Sequence, residues 1–564
     1  MTSDSRKPAE TATRYRGQRL LTHPLYNKST AFSLEEREAL GLDGLLPDAV
    51  SPMERQVRRV HENIARKTDD LEKYIGMAGL QDRNEHLFYR LLIDNFAELL
   101  PIVYTPTVGR ACQEYSHIFR RPRGLWITPR HRGRVARVLA NAPAEEVRLI
   151  VATDGERILG VGDQGAGGMG VPVGKLALYT AAAGIHPGHT LPVCLDVGTD
   201  NQELLRDELY IGWPHARLRG PEYDALVDEF VQAVRTSFPG ALLQWEDFKQ
   251  QNAFAILERY RQVVPSFNDD VQGTGAMVVA GVMAAARLQG RPLREQRALV
   301  LGAGAAGVGV ALMLRAAFAR AGLGGDDLTR AVAVLDLPGL VVDEGEATPS
   351  FRRAVAWPPA LAAAVGLAPG PVRGLEDAVR ALHPTVMVGA TGAPGSFTEG
   401  AVRAMAAHCA RPVILPLSNP TSYSEARPAD LLAWTDGRAL VATGSPFAAV
   451  EGPEGLLRIA QANNAFVFPG LGLGVLVAEA REVTDGMLLA AADRLADETL
   501  RRCGREGVLF PTMDALRAVT ARVAEAVVVE ARECGMGRAI ADADVGAAVR
   551  AAMWEPVYPI LRPE

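Results

Sequence analysis

The chain has 564 residues, 48% hydrophobic, 22% charged and 6% aromatic, with a formal net charge of −6. That length asks for several compact units of about 100–200 residues each, and the composition excludes a disordered, collagenous or coiled-coil protein. The mild negative charge excludes a strong field for nucleic acid or an anionic membrane. Five cysteines (Cys112, Cys194, Cys409, Cys503 and Cys534) stand far apart with no CxxC pair. No disulfide framework or structural zinc is expected, and a reducing, cytoplasmic location is. No apolar run reaches the roughly 18 residues of a membrane span, and the polar start lacks a signal-peptide core.

In chain order, residues 1–20 read as a disordered lead-in. Ser33-Leu-Glu-Glu36 has the spacing of a capping box ahead of a helix. Residues 52–100 carry helical periodicity, which predicts an all-helical region ending near Pro101. Tyr104 follows, between Pro101 and Pro106, where two prolines predict a non-helical segment. The runs RLIVATDG, ILGVGD, LPVCLDVG and ALLQWED read as strands, around a helix from Pro172 and an amphipathic stretch at 222–237. Residues 276–289 read as a helix. From Arg297 the runs ALVLGAG, AVAVLD, TVMVGATG, PVILPLSNP and ALVATGSP are continuously apolar and end in polar tips. That is the pattern of a parallel sheet covered on both faces, with ligands at the carboxyl ends of its strands. Segment 340–375 is Pro/Ala-rich and resists assignment, and helices return after 485.

The fold class expected is therefore α/β and multidomain. A lead-in (1–20) and a helical N-terminal domain (21–125) come first. A substrate and metal domain (126–271) is completed by helices from about 460–535. A Rossmann-like dinucleotide domain (272–459) and a short C-terminal tail (536–564) make up the rest.

Gly302-Ala-Gly304-Ala305-Ala306-Gly307 follows a strand-like run and precedes a helix. Its glycines allow the tight turn that brings a pyrophosphate to a helix N-terminus. The expected ribose-binding acid is Asp336, which lies 32 residues after Gly304 against roughly 20 in the usual pattern. No Lys or Arg stands in 337–342 to neutralise a 2′-phosphate, which favours NAD while leaving NADP possible. Glu246 and Asp247 end one strand, and Asp270 opens the next Gly-containing segment. Both neighbouring acids can face one ion only if their strand has already ended, because adjacent strand residues point to opposite faces. An all-oxygen set suits Mg²⁺ or Mn²⁺; a solvated acidic turn is the bland alternative.

Only six lysines occur among the 60 basic residues, so a lysine in a Gly-rich setting stands out. Lys175 follows Gly160-Val-Gly-Asp-Gln-Gly-Ala-Gly-Gly-Met-Gly170 near the expected start of a helix. The positive end of the helix, and Arg157 if it folds nearby, predict a lowered pKa and a general base. Phosphate binding by the same loop is the alternative, although Leu176 breaks the GxxxxGK[ST] pattern. Arg157 itself suits bidentate carboxylate recognition.

These blocks, together with YTPTVGRACQEYSHIFRRPRGL, TDGERILGVGDQGAGGMGVPVGKLALYTA, LPVCLDVGTDNQELLRD, QWEDFKQQNAF, SFNDDVQGTGA, PLSNPTSYSE and QANNAFVFPGLGLGV, resemble malic enzymes of the long bacterial and mitochondrial type, from about residue 20 to 555. The resemblance implies oxidative decarboxylation of L-malate to pyruvate and CO₂ with NAD and a divalent cation. It implies Glu246, Asp247 and Asp270 as metal ligands, Lys175 as general base, Tyr104 as general acid and Asp269 as the residue that orients Lys175. Arg157 would grip a malate carboxylate close to the cofactor, and Asn419 and Asn464 would contact substrate and nicotinamide. It also implies a homotetramer built as a dimer of dimers. Malolactic enzyme, which yields L-lactate with NAD kept bound, is the close alternative, and a non-catalytic dinucleotide-binding regulatory protein the remote one.

Overall fold

A computed structural model describes residues 9–144, 146–337, 339–367, 374–452 and 455–564. The N-terminal part is helical. Ser33 accepts from the Glu36 backbone while Glu36 reaches back to Ser33, so the capping box is formed. Asp69 and Asn84 cap the helices Asp70–Arg83 and Glu85–Asp94 through their side-chain oxygens. Pro101 does not end the helical region as expected. It lies inside helix Phe96–Val103, and a further helix, Thr107–Gln113, follows after only three residues. Tyr104 terminates the first of these helices in a non-helical conformation (φ −133°, ψ −142°), so the non-helical segment the prolines predicted shrinks to a link between two helices.

The lead-in is a second correction. Residues 1–8 lie outside the described residues, but Glu10–Thr13 is a strand paired in parallel with Ile560–Pro563, and a helix runs over Gly17–Leu21. Two ends of the chain that sequence periodicity treats separately thus share a two-stranded sheet. Helix Asp542–Ala552 precedes this final strand.

Two parallel sheets carry the rest. The first orders its strands Leu125–Ile127, Thr190–Leu195, Leu149–Thr153, Leu242–Trp245 and Ser266–Asn268. ILGVGD is not among them: Ile158 and Gly162 form only an isolated bridge, because the Gly-rich segment turns back on itself. The second sheet has seven strands, with Ala298–Leu301 between Val332–Asp336 and Val386–Gly389. The chain winds one way from Ala298–Leu301 and then the other, so a crevice opens at that strand's carboxyl end. Strand Gly339–Leu340 closes one edge antiparallel. Strands 149–153, 386–389, 413–416 and 440–443 are buried at every position, as continuous apolar runs require when helices cover both faces.

Among the described residues, one segment, Asp269–Gln289, is long and apolar enough by composition to cross a membrane, against expectation. It is 78% buried inside the protein and starts with two aspartates, which marks a central core helix. Gly309, in the helix after the dinucleotide fingerprint, packs on its first turn so closely that a Cβ would lie 2.2 Å from the Val271 carbonyl oxygen. Backbone contact between the two α/β units is possible because that position has no side chain.

Candidate active site

The strand Leu242–Trp245 ends just before Glu246 and Asp247. Asp247 adopts a left-handed conformation (φ +58°), which turns the chain and frees both acids from strand alternation. Asp270 comes from the turn that opens the central helix and accepts from the Asp247 backbone N–H at 2.8 Å. One carboxylate oxygen from each of Glu246, Asp247 and Asp270 lies within 4.8 Å of the others. Asp247 Oδ2 is buried and has no hydrogen-bond partner among the described residues, while its Oδ1 accepts from Leu159 N at 3.2 Å. Burial pushes all three acids up, Asp270 to about 6, with repulsion from Asp270 adding to the rise at Glu246 and Asp247 and repulsion from Asp269 to that at Asp270. Two buried carboxylates and a half-buried third, with an unsatisfied oxygen and no His or Cys in the group among the described residues, are a donor set for a hard divalent cation.

Lys175 is 2% exposed. Its ammonium contacts Asp269 Oδ2 and lies 3.1 Å from Glu246 Oε1. It also sits 5.3 Å from the centre of the Tyr104 ring and 4.4 Å from that of Phe468. The expectation of a lowered pKa is overturned here. Burial acts to lower it, but the carboxylates of Asp269 and Glu246 outweigh burial and hold it well above the usual lysine range. The helix begins at Gly170, so Lys175 lies in its second turn, beyond the strongest field of the helix N-terminus. Burial raises the Tyr104 phenol well above its ordinary value. Asn464 donates to Asp269 Oδ2 at 3.1 Å and to Thr274 Oγ1 at 2.9 Å, which ties a distant loop to the same carboxylate.

Arg157 is joined to this cluster through its backbone N–H, which donates to the Asp247 carbonyl at 3.2 Å. Its guanidinium is exposed and donates to Leu159 O at 3.2 Å, and its positive charge lies near enough to act against the rise of the Asp247 carboxyl. Asn419 accepts from the Ser445 hydroxyl, and its carbonyl approaches Gly160 so that a Cβ there would lie 3.2 Å away.

The fingerprint forms the turn between strand Ala298–Leu301 and helix Ala305–Arg320, with Gly304 as N-cap and Ala305 and Ala306 as the first helical residues. Gly302 has φ +106°, and a Cβ there would lie 2.5 Å from the Ala390 oxygen. At Gly307 a Cβ would strike the Gly302 carbonyl at 1.8 Å. Asp336 stands at the tip of the adjacent strand, where Arg352 Nη2 pairs with it at 2.7 Å while Arg352 Nε donates to Ala303 O at 3.1 Å. A cation therefore stands beside Asp336, the acid expected to bind ribose. It comes from the Pro/Ala-rich segment beyond 342, which the local sequence argument did not reach. Pro338, two positions after Asp336 in the sequence, lies outside the described residues.

Two more residues escaped the sequence argument. Buried Glu425 accepts from the backbone N–H and hydroxyl of Thr391, both at 2.9 Å, and clamps two strand tips of the cofactor crevice. Gln244, fully buried, donates to Glu246 Oε2 at 2.7 Å. A polar residue two positions before an acid, inside an otherwise apolar strand, was the available signal for Gln244.

Two family profiles match the sequence, "Malic enzyme, N-terminal domain" over residues 81–261 and "Malic enzyme, NAD binding domain" over 271–532. The chain belongs to the malic enzyme family. Among its relatives, the NAD-dependent malic enzyme of Sodalis glossinidius is 46% identical over 542 residues, 96% of both chains. That of Edwardsiella ictaluri is 47% identical over 545 residues, again 96% of both. Among solved malic enzymes, that of Entamoeba histolytica aligns with a TM-score of 0.57 at 22% identity, covering 91% of each chain. That of Pyrococcus horikoshii aligns at 0.53 and 23% identity, covering 81% of this chain and 89% of the other. These structural likenesses support the malic enzyme fold.

Proposed function

We propose that this protein oxidises L-malate with NAD and decarboxylates the product to pyruvate and CO₂. The observation that carries the reading is the convergence of Lys175, Tyr104 and three cation-competent carboxylates in one buried site, within a family whose relatives are named NAD-dependent malic enzymes. Glu246, Asp247 and Asp270 hold Mg²⁺ or Mn²⁺. Gly302, Gly304, Ala305, Ala306, Gly307 and Asp336 hold NAD. When bound, the cation supplies Lewis acidity at the C2 oxygen of malate, and NAD supplies the hydride acceptor.

The remaining work falls to the chain's own groups. Lys175 Nζ takes the proton of the C2 hydroxyl as C2 is oxidised. To do so it must start uncharged. Positive charge beside Glu246 offsets one of the two anions that now hold the ammonium. Asp269 keeps the amine in place and stabilises it once protonated. Loss of CO₂ leaves an electron-rich C3, and the Tyr104 hydroxyl gives it a proton. The raised pKa of this phenol keeps it in the donor form. Arg157 binds a malate carboxylate by releasing the Leu159 carbonyl, and Asn419 and Asn464 contact substrate and nicotinamide.

The domain limits given from the sequence, the homotetramer built as a dimer of dimers, and the cytoplasmic location belong to the same proposal. Light scattering on the purified protein tests the tetramer. The malolactic alternative gains no support from relatives at 45–47% identity that are all named NAD-dependent malic enzymes. Purified protein given L-malate, Mn²⁺ and NAD is expected to form pyruvate and NADH in equal amounts. Lactate without net NADH, or no reduction of either NAD or NADP, overturns the reading.

A further inference from the structure

We propose that Tyr179 and Gln244 form a buried positioning chain that holds the Glu246 carboxylate in the orientation a divalent cation needs. The proposal rests on the reading that Glu246, Asp247 and Asp270 bind that cation. Gln244 lies in the strand Leu242–Trp245 and Glu246 just past its end, and their side chains meet directly. The Gln244 amide donates from Nε2 to Glu246 Oε2 at 2.7 Å, and its Oε1 accepts from the Tyr179 hydroxyl. All of this happens in the interior, since Tyr179 and Gln244 are fully buried and Glu246 is 2% exposed.

An amide has a donor end and an acceptor end, and only the donor end attracts a carboxylate. The phenolic hydroxyl, by donating to Oε1, holds the NH₂ group toward Glu246. Turned the other way, two acceptors would face each other without water between them, a costly arrangement in a dry interior. The tyrosine ring is itself fixed. It meets Phe468 edge-on with ring centres 4.9 Å apart, and it lies over Gly472, where a Cβ would come within 2.6 Å of the ring.

The other oxygen of Glu246 faces Lys175, 3.1 Å away. Gln244 holds the opposite oxygen. With both ends of the carboxylate engaged, the amide fixes its rotamer. Neither Gln244 nor Tyr179 touches a reacting atom in this account; both act through Glu246.

Mn²⁺ binding to the full-length protein, measured by electron paramagnetic resonance of free Mn²⁺ without malate or NAD, tests this. Gln244→Met keeps the volume and removes the hydrogen bond. It is expected to weaken Mn²⁺ binding by about 10–100-fold, the usual cost of losing a residue that orients a ligand, with NAD affinity unchanged. Tyr179→Phe is expected to weaken binding in the same direction but less. The double variant should match Gln244→Met alone, because the tyrosine acts only through the amide. A Gln244→Met protein that binds Mn²⁺ like the parent overturns the proposal, and so does a Tyr179→Phe effect that adds in full to that of Gln244→Met. If Gln244→Met does not fold, Tyr179→Phe decides, and unchanged affinity overturns the proposal. Asp270→Asn separates the two readings. A parent site abolished by Asp270→Asn but indifferent to Gln244 sinks only the positioning chain, whereas a parent that binds no Mn²⁺ sinks the cation site and the chain with it.

Discussion

Lys175 and Asp269 stand 94 positions apart in the chain, yet the ammonium of one rests against the carboxylate of the other in the interior. The pair joins the helix after the Gly-rich loop to the turn that opens the central core helix. Two acids, Asp269 and Glu246, face the buried amine, and their attraction outweighs desolvation and raises its pKa.

Replacing Lys175 by Ala is expected to lower kcat by ~10²–10⁴-fold, the usual worth of a general base, with NAD affinity nearly unchanged. Arg at this position should rescue little, since guanidinium stays protonated. Steady-state rates across pH check both statements, and a Lys175→Ala enzyme within about tenfold of the parent contradicts the assignment.

Stability should depend on pH and cation together. Burial, helped by the charge of Asp269, raises Asp270 from 3.8 to about 6, and Glu246 and Asp247 shift in the same direction. Between these values the folded state holds a proton that the unfolded chain has released. The contribution of these acids to the stability of the cation-free protein therefore falls as pH rises from about 4 to 6. Added Mn²⁺ competes with those protons, so its stabilising effect should be larger at pH 7 than at pH 5. Thermal melts with EDTA or Mn²⁺ at the two values check this; equal shifts at both count against it.

Gly302→Ala should damage cofactor binding first. The position combines φ +106° with a Cβ site 2.5 Å from the Ala390 oxygen. Strain of ~1–3 kcal/mol is expected for a side chain forced into such a conformation, and the crevice should open as the strand tips separate. Calorimetry is expected to show weakened NAD binding with Mn²⁺ binding retained.

Asp336→Ser should shift preference toward NADP. The carboxylate now repels a 2′-phosphate and occupies Arg352 at 2.7 Å; without it the guanidinium is free to meet that phosphate. The ratio of kcat/KM for NAD over NADP should fall, and Arg352→Ala in the same background should reverse the change. An unchanged ratio removes Asp336 from cofactor selection.

Much of the fold is written locally. Parallel strands covered on both faces are apolar over most of their length, so 149–153, 242–245, 298–301, 332–336, 386–389, 413–416 and 440–443 are legible as runs, and the glycines of the fingerprint mark their turn. Other features are decided by partners far away in sequence. Pro101 remains helical because of the helices packed around it. Glu10–Thr13 becomes a strand because Ile560–Pro563 lies beside it. The ILGVGD run is strand-like by composition but belongs to a glycine-rich turn.

For the site, the sequence alone determined the chemical types: an all-oxygen acid set, a rare lysine in a glycine-rich setting, and a dinucleotide turn after an apolar strand. Only the tertiary structure decided their charge state and their neighbours. Helix-dipole reasoning predicted a lowered pKa for Lys175, yet Asp269 and Glu246, which approach from other segments, raise it. The same holds for Arg352 beside Asp336 and for Gln244 behind Glu246. Electrostatic and hydrogen-bond effects act over a few ångströms of space, and in a parallel α/β protein those ångströms are spanned by residues from widely separated parts of the chain.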